Sequence, residues 1–168
     1  LRATGAETLS MDAAAGLAGL GSALMRGCWH LLGHRCELPA PGDYLAVSTA
    51  FGDLVVFNDE GTLVAFDNRC PHRGARWYDG PAGQQRASCP YHGWSYRRGR
   101  VCVAGRRGFD GDAVDGARLN AYTLAWCGDF VFVGIAPAQS LEAQLGGLFE
   151  RLASWSMAIE RRHDLNAY

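Results

Sequence analysis

Between residues 70 and 94 the chain sets out two cysteines and two histidines in matched pairs. Cys70-Pro71-His72-Arg73-Gly74-Ala75 comes first and Cys89-Pro90-Tyr91-His92-Gly93-Trp94 second. The pattern is C-x-H, sixteen intervening residues, then C-x-x-H. Thiolates are soft, charge-donating ligands, whereas imidazoles are neutral nitrogen donors. Two of each suit a [2Fe–2S] cluster in which histidines replace cysteines on one iron. Neutral histidines leave the oxidised cluster without net charge, so it takes an electron more readily than an all-cysteine cluster does. A zinc ribbon would instead pair C-x-x-C with C-x-x-C. The candidate ligands of cofactor and metal are therefore Cys70, His72, Cys89 and His92, and no catalytic residue is assigned beside them.

The neighbouring residues suit rigid presentation of these groups. Pro71 and Pro90 follow each cysteine and stiffen the loops. Gly74 and Gly93 follow each histidine, where a positive φ would turn backbone N–H groups toward sulfur. Four further cysteines, Cys28, Cys36, Cys102 and Cys127, show no pattern and are expected as free, mostly buried thiols in a reducing cytosol.

The elements that must hold the loops are short strands. Trp29 to Leu32, Tyr44 to Thr49, Asp53 to Phe57 and Thr62 to Phe66 are apolar or alternating, and Asn58-Asp59-Glu60-Gly61 reads as a hairpin turn. Trp94 to Tyr96 and Val101 to Val103 flank Arg97-Arg98-Gly99-Arg100, a second hairpin. Residues 104–120 are Gly- and Asp-rich and read as a surface loop. Tyr122 to Trp126 and Phe130 to Val133 close the series over Cys127-Gly128-Asp129. Helices are expected at both ends. Thr4-Gly5-Ala6-Glu7 has capping-box form ahead of Leu17, Leu20 and Leu24, and Ser140 is expected to cap one helix running to about Trp155 with Leu141, Leu145, Leu148 and Leu152 on one face. The fold class is mainly β, an antiparallel sandwich or barrel with flanking helices. The expected division is a helical segment over 1–27, the cluster domain over 28–136 and a helical lead-out over 137–168.

The 168 residues are enough for one domain with a core. Apolar content of 48% with 20% charged residues is that of a soluble globular protein, expected in the cytoplasm. A net charge of -1 and the lack of a basic stripe argue against nucleic acid, and the Gly-interrupted run from Ala13 to Met25 is too short for a membrane span. His30, His34 and Glu37, with Cys28 and Cys36 nearby, could be drawn as a second metal site; packing or surface histidines are the reading adopted. Arg97 to Arg100, Arg106 and Arg107 read as solvated loop charges, with docking of an acidic electron donor as the alternative.

In these residues the chain resembles the Rieske non-haem iron oxygenases, specifically the N-terminal domain of the ring-hydroxylating α-subunit. The likeness runs through Trp29, Leu32-Gly33-His34, Glu37-Leu38-Pro39 and Pro41-Gly42-Asp43-Tyr44 into the two ligand loops, from Asn68 to Gly74 and from Cys89 to Tyr96, and on to Gly128 and Phe130 to Val133. It implies an antiparallel Rieske-type fold around a [2Fe–2S] cluster that takes electrons from a ferredoxin or flavin reductase. It also implies delivery to a mononuclear Fe(II) that activates O2, across a subunit interface of a homotrimer. The respiratory Rieske class carries an extra cysteine in each loop and a serine after the second loop's glycine. Here Ala75, Tyr91 and Trp94 stand at those places, so a potential toward the low end of the Rieske range is expected. The other histidines are His30, His34 and His163, with no His pair and following carboxylate, so the Fe(II) domain is expected elsewhere. The start at Leu1 and the end at Tyr168 read as cut ends, favouring an oxygenase fragment over a free-standing Rieske ferredoxin.

Overall fold

Alternation along the strands decides this architecture, because two different cores claim alternate residues. The computed structural model describes residues 24–49, 51–103 and 111–155. Seven strands form one antiparallel sheet: β1 (Trp29–His34), β2 (Asp43–Thr49), β3 (Gly52–Asp59), β4 (Thr62–Asp67), β5 (Ala82–Gln84), β8 (Ala121–Cys127) and β9 (Phe130–Gly134). Their spatial order is β1-β9-β8-β4-β3-β2-β5. A separate hairpin joins β6 (Trp94–Arg97) to β7 (Arg100–Val103). Besides a single 3-10 turn at Arg35–Glu37, three short α-helices follow β1: α1 (Gly111–Gly116), α2 (Leu141–Leu145) and α3 (Leu148–Ala153).

In β3 the residues divide strictly. Leu54 and Val56 enter one core with Leu45 of β2, Ala65 of β4, Leu32 of β1 and Val131 and Val133 of β9. Val55 and Phe57 enter the other, with Tyr44, Phe66, Trp77, Tyr78, Trp94, Cys70 and Cys89. Because β1 and β2 share the first core while lying far apart in the sheet order, the sheet must curl onto itself as a half-barrel. Its other face carries the two cysteine loops. Registers Leu45↔Val56↔Ala65 and Tyr44↔Phe57↔Val64 keep each row on one side. A slip of one residue would exchange the two cores.

Turns match the expected hairpins. Glu60 and Gly61 both have positive φ, as do Arg98 and Gly99, which is what a two-residue primed turn requires. Glu60 also receives Arg97 and Arg98, at 2.9 and 2.6 Å, so the tips of the two hairpins are clasped together. These two arginines are thus ion-paired, while Arg106 and Arg107 lie outside the described residues.

The structure corrects the sequence reading in three places. The helix from Ser140 is two helices, because Gly146 takes φ 53 and ends α2 before α3 begins. Leu141 is buried and Leu145 and Leu152 pack beside it, but Leu148 falls on the exposed side. Residues 111–116 of the expected surface loop form α1, whose Val114 is buried in the core of the two cysteines. The Gly-rich segment between the loops contains β5, which has no alternation to announce it and is held by pairing with Asp43 to Leu45. The capping box at Thr4 to Glu7 lies outside the described residues, of which 24–26 are helical. No helix among the described residues is long and apolar enough to cross a membrane.

Candidate metal centre

The two cysteine loops are conformational twins. In the first, Cys70 N–H donates to Ala75 O at 2.7 Å and Gly74 N–H to Cys70 O at 2.8 Å. In the second, Cys89 N–H donates to Trp94 O at 2.7 Å and Gly93 N–H to Cys89 O at 3.0 Å. Gly74 and Gly93 both turn with positive φ, 73° and 67°, a region costly for a residue with Cβ. The loops differ only in where the histidine sits, two residues after Cys70 and three after Cys89.

That arrangement buries the sulfurs and leaves the rings outward. Cys70 and Cys89 are 2% and 3% exposed, whereas His72 is half-buried and His92 exposed. The two imidazoles lie edge to face with centroids 4.8 Å apart, and Trp94 stacks on His72 at 4.8 Å and 12°. The two imidazoles are thus in contact with each other, and the Cys89 thiol lies beside that of Cys70.

Burial sets the charge state of the thiols. The Cys70 thiol is pushed up to about 11: burial is the main cause, the backbone N–H groups of His72 and Arg73 act against it, and the Cys89 thiol beside it adds to it. Two adjacent buried thiolates need compensating positive charge to form, which bound metal supplies. His72 is held below the ordinary imidazole value by desolvation, then by His92 and Arg73, which favours the neutral form that can ligate. Among the described residues, no three His, Cys, Asp or Glu side chains converge on one metal position.

Asn68 organises the first loop from beneath. It is 2% exposed, its Oδ1 accepts from the backbone N–H of Trp77 and Tyr78, both at 3.0 Å, and its Nδ2 donates to Tyr78 O at 2.8 Å. Sequence reading placed Asn68 within the loop motif without giving it this task. A buried amide satisfied wholly by backbone leaves no periodic signature.

The alternative His/Cys site dissolves into local structure. A bulge between Leu31 and Gly33 breaks the alternation of β1. His30 contacts Met25 O at 2.6 Å and Phe51. His34 caps the turn Arg35–Glu37: its Nδ1 accepts from Cys36 N–H, and its own N–H donates to Glu37 Oε2 at 2.8 Å. Of the four remaining cysteines only Cys127 is buried; Cys28 is intermediate and Cys36 and Cys102 are exposed, contrary to the expected mostly buried set.

Comparison with known proteins agrees with this geometry. Residues 28–107 match the family model of the Rieske [2Fe-2S] domain, and the fold and site define a protein of that class. The oxygenase subunit of glycine betaine monooxygenase from Chromohalobacter salexigens is 35% identical over 135 residues, covering 77% of this chain and 30% of that protein. Chlorobenzene dioxygenase subunit alpha from Cupriavidus sp. is 42% identical over 72 residues, 40% of this chain and 16% of that protein. The solved structure of a quaternary ammonium Rieske monooxygenase, described as showing inter-subunit electron transfer, superposes with a TM-score of 0.66 at 27% identity, covering 79% of this chain and 38% of that one. The chain carries a Rieske [2Fe-2S] domain similar to those of Rieske oxygenase α-subunits, and it spans less than a third of the length of these curated relatives.

Proposed function

We propose that Cys70, His72, Cys89 and His92 hold the [2Fe–2S] cluster, with the thiolates on one iron and the imidazoles on the other, and that the chain is the electron-transfer module of an oxygenase terminal component. A Rieske cluster supplies one-electron transfer at a potential between about −150 and +300 mV. The protein's part is to bury the sulfurs, keep His72 neutral and present the rings outward. The single observation that carries this reading is the pair of twin loops with buried sulfurs and outward imidazoles. On this reading the cluster domain occupies residues 28–136, with 1–27 leading in and 137–168 leading toward a domain that holds mononuclear iron. A ferredoxin or flavin reductase supplies the electrons, the assembly is a homotrimer, and the setting is cytoplasmic.

The test is a redox titration with electron paramagnetic resonance of the reduced protein. The expected result is the low average g value of a His-ligated cluster and a midpoint below roughly +100 mV. A higher midpoint, or a spectrum without nitrogen coupling, overturns the assignment. Cys70→Ser should lose the cluster, and His72→Cys should move the midpoint downward, because a second anionic ligand opposes the incoming electron.

For the parent oxygenase we favour a quaternary ammonium substrate. Likeness to the glycine betaine enzyme runs over 135 residues, against 72 for the chlorobenzene enzyme, so it extends beyond the ligand loops. Oxygen uptake by the parent enzyme with glycine betaine but not with benzene would support this; the reverse preference would refute it.

A further inference from the structure

One of the two histidines, His72, is held by Trp94. The χ2 torsion of histidine is broad and roughly two-fold, so a histidine's own rotamer does not fix the plane of its ring. For His72 the plane is fixed from outside. The Trp94 indole is 2% exposed and lies against the imidazole at 12°, with centroids 4.8 Å apart. His92 stands exposed and meets His72 at 84°. Trp94 also closes its own loop, because its carbonyl accepts the Cys89 N–H at 2.7 Å. One residue therefore closes the second loop with its backbone and supports the first loop's histidine with its side chain.

We propose that Trp94 is a positioning residue for the electron-transfer centre: its buried indole sets the ring plane of His72. The inference rests on the proposed assignment of His72 as a ligand. Ring orientation matters because groups around a metal ligand set its direction and basicity, and through these the properties of the metal. The indole also shields the inner side of the imidazole from water. Its loss should ease the entry of negative charge, since solvent stabilises the reduced form.

The experiment uses the cluster-loaded full chain with 15N-labelled histidine, comparing the parent with Trp94→Leu and Trp94→Phe. Pulsed electron paramagnetic resonance of the reduced state reads the two histidine nitrogen couplings separately, and a titration reads the midpoint. In Trp94→Leu, one coupling should shift or broaden while the other stays, and the midpoint should rise. Trp94→Phe keeps a flat ring and should restore both parental values. Unchanged couplings and midpoint in a fully loaded Trp94→Leu protein would overturn the inference. Should Trp94→Leu take up no cluster, Trp94→Phe decides: parental couplings support the inference, and failure to load overturns it. A parent lacking two nitrogen couplings would instead overturn the ligand assignment, so the two failures are distinguishable.

Discussion

At the scale of single residues, side chains outside the ligand set govern how firmly the loops are held. Asn68 makes three hydrogen bonds to the backbone of Trp77 and Tyr78, all buried. Asn68→Ala would leave those groups unsatisfied, at a cost of about 1–3 kcal/mol for each one that water cannot reach. We expect a clear drop in thermal stability and weaker retention of iron, checked by melting curves and iron content. Asp53 acts on the same segment through Arg76, to which it is ion-paired. Hydrogen bonds from Ser48 and then from Arg76 hold the Asp53 carboxyl below its ordinary value of 3.8. A depressed carboxylate contributes stability that is present above 3.8 and is lost as pH falls through the lower folded value. Asp53→Asn should therefore flatten the acid limb of a stability-against-pH curve. At neutral pH it should cost less than about 1 kcal/mol, because the pair is largely solvated.

At the scale of elements, close backbone approach decides what the strands tolerate. Gly128, in the turn between β8 and β9, takes φ 59, and a Cβ there would lie 2.8 Å from Ala153 O and 2.9 Å from Ala153 Cα. Both objections act on the same methyl group. Gly128→Ala should lower stability by about 2 kcal/mol or more, from left-handed strain and displacement of α3. Chemical denaturation measures the loss, and a change below about 0.5 kcal/mol would contradict the packing of α3 on this turn. The edge strand β1 is protected by a side chain. Gln144 of α2 accepts Trp29 N–H at 2.7 Å and donates to Trp29 O at 2.9 Å, taking the place of a neighbouring strand.

At the scale of the whole molecule, the curled sheet separates two tasks. One core closes the half-barrel, and the other forms the floor beneath the cysteines. The ligand loops meet through side chains, in one shared core and in the Trp94–His72 stack, and the segment that joins them in sequence has only β5, paired with β2 over three residues. A bound cluster would add a cross-link between the two loops. Removing iron with a chelator under reducing conditions should lower the melting temperature and loosen the loops, because a group bound only by the folded state stabilises it. Hydrogen exchange should show the change over residues 68–78 and 87–97, with the β3–β4 pairing retaining its protection. Uniform loss across both cores would mean the cluster supports the entire fold.

Sequence alone determined the four candidate ligands, the hairpins and the antiparallel class, because each rests on local rules of spacing, turn chemistry and alternation. It also carried the likeness to Rieske oxygenases, since ligand loops are contiguous. It missed β5 and α1, whose residues carry no periodic signal and are ordered by what they pack against. It joined α2 and α3 because leucine spacing does not register the turn that Gly146 makes. Only the tertiary structure showed that β3 serves two cores, that Asn68 pins the first loop and that Trp94 lies flat on His72. Those contacts join residues distant in sequence, and packing alone decides which of them meet.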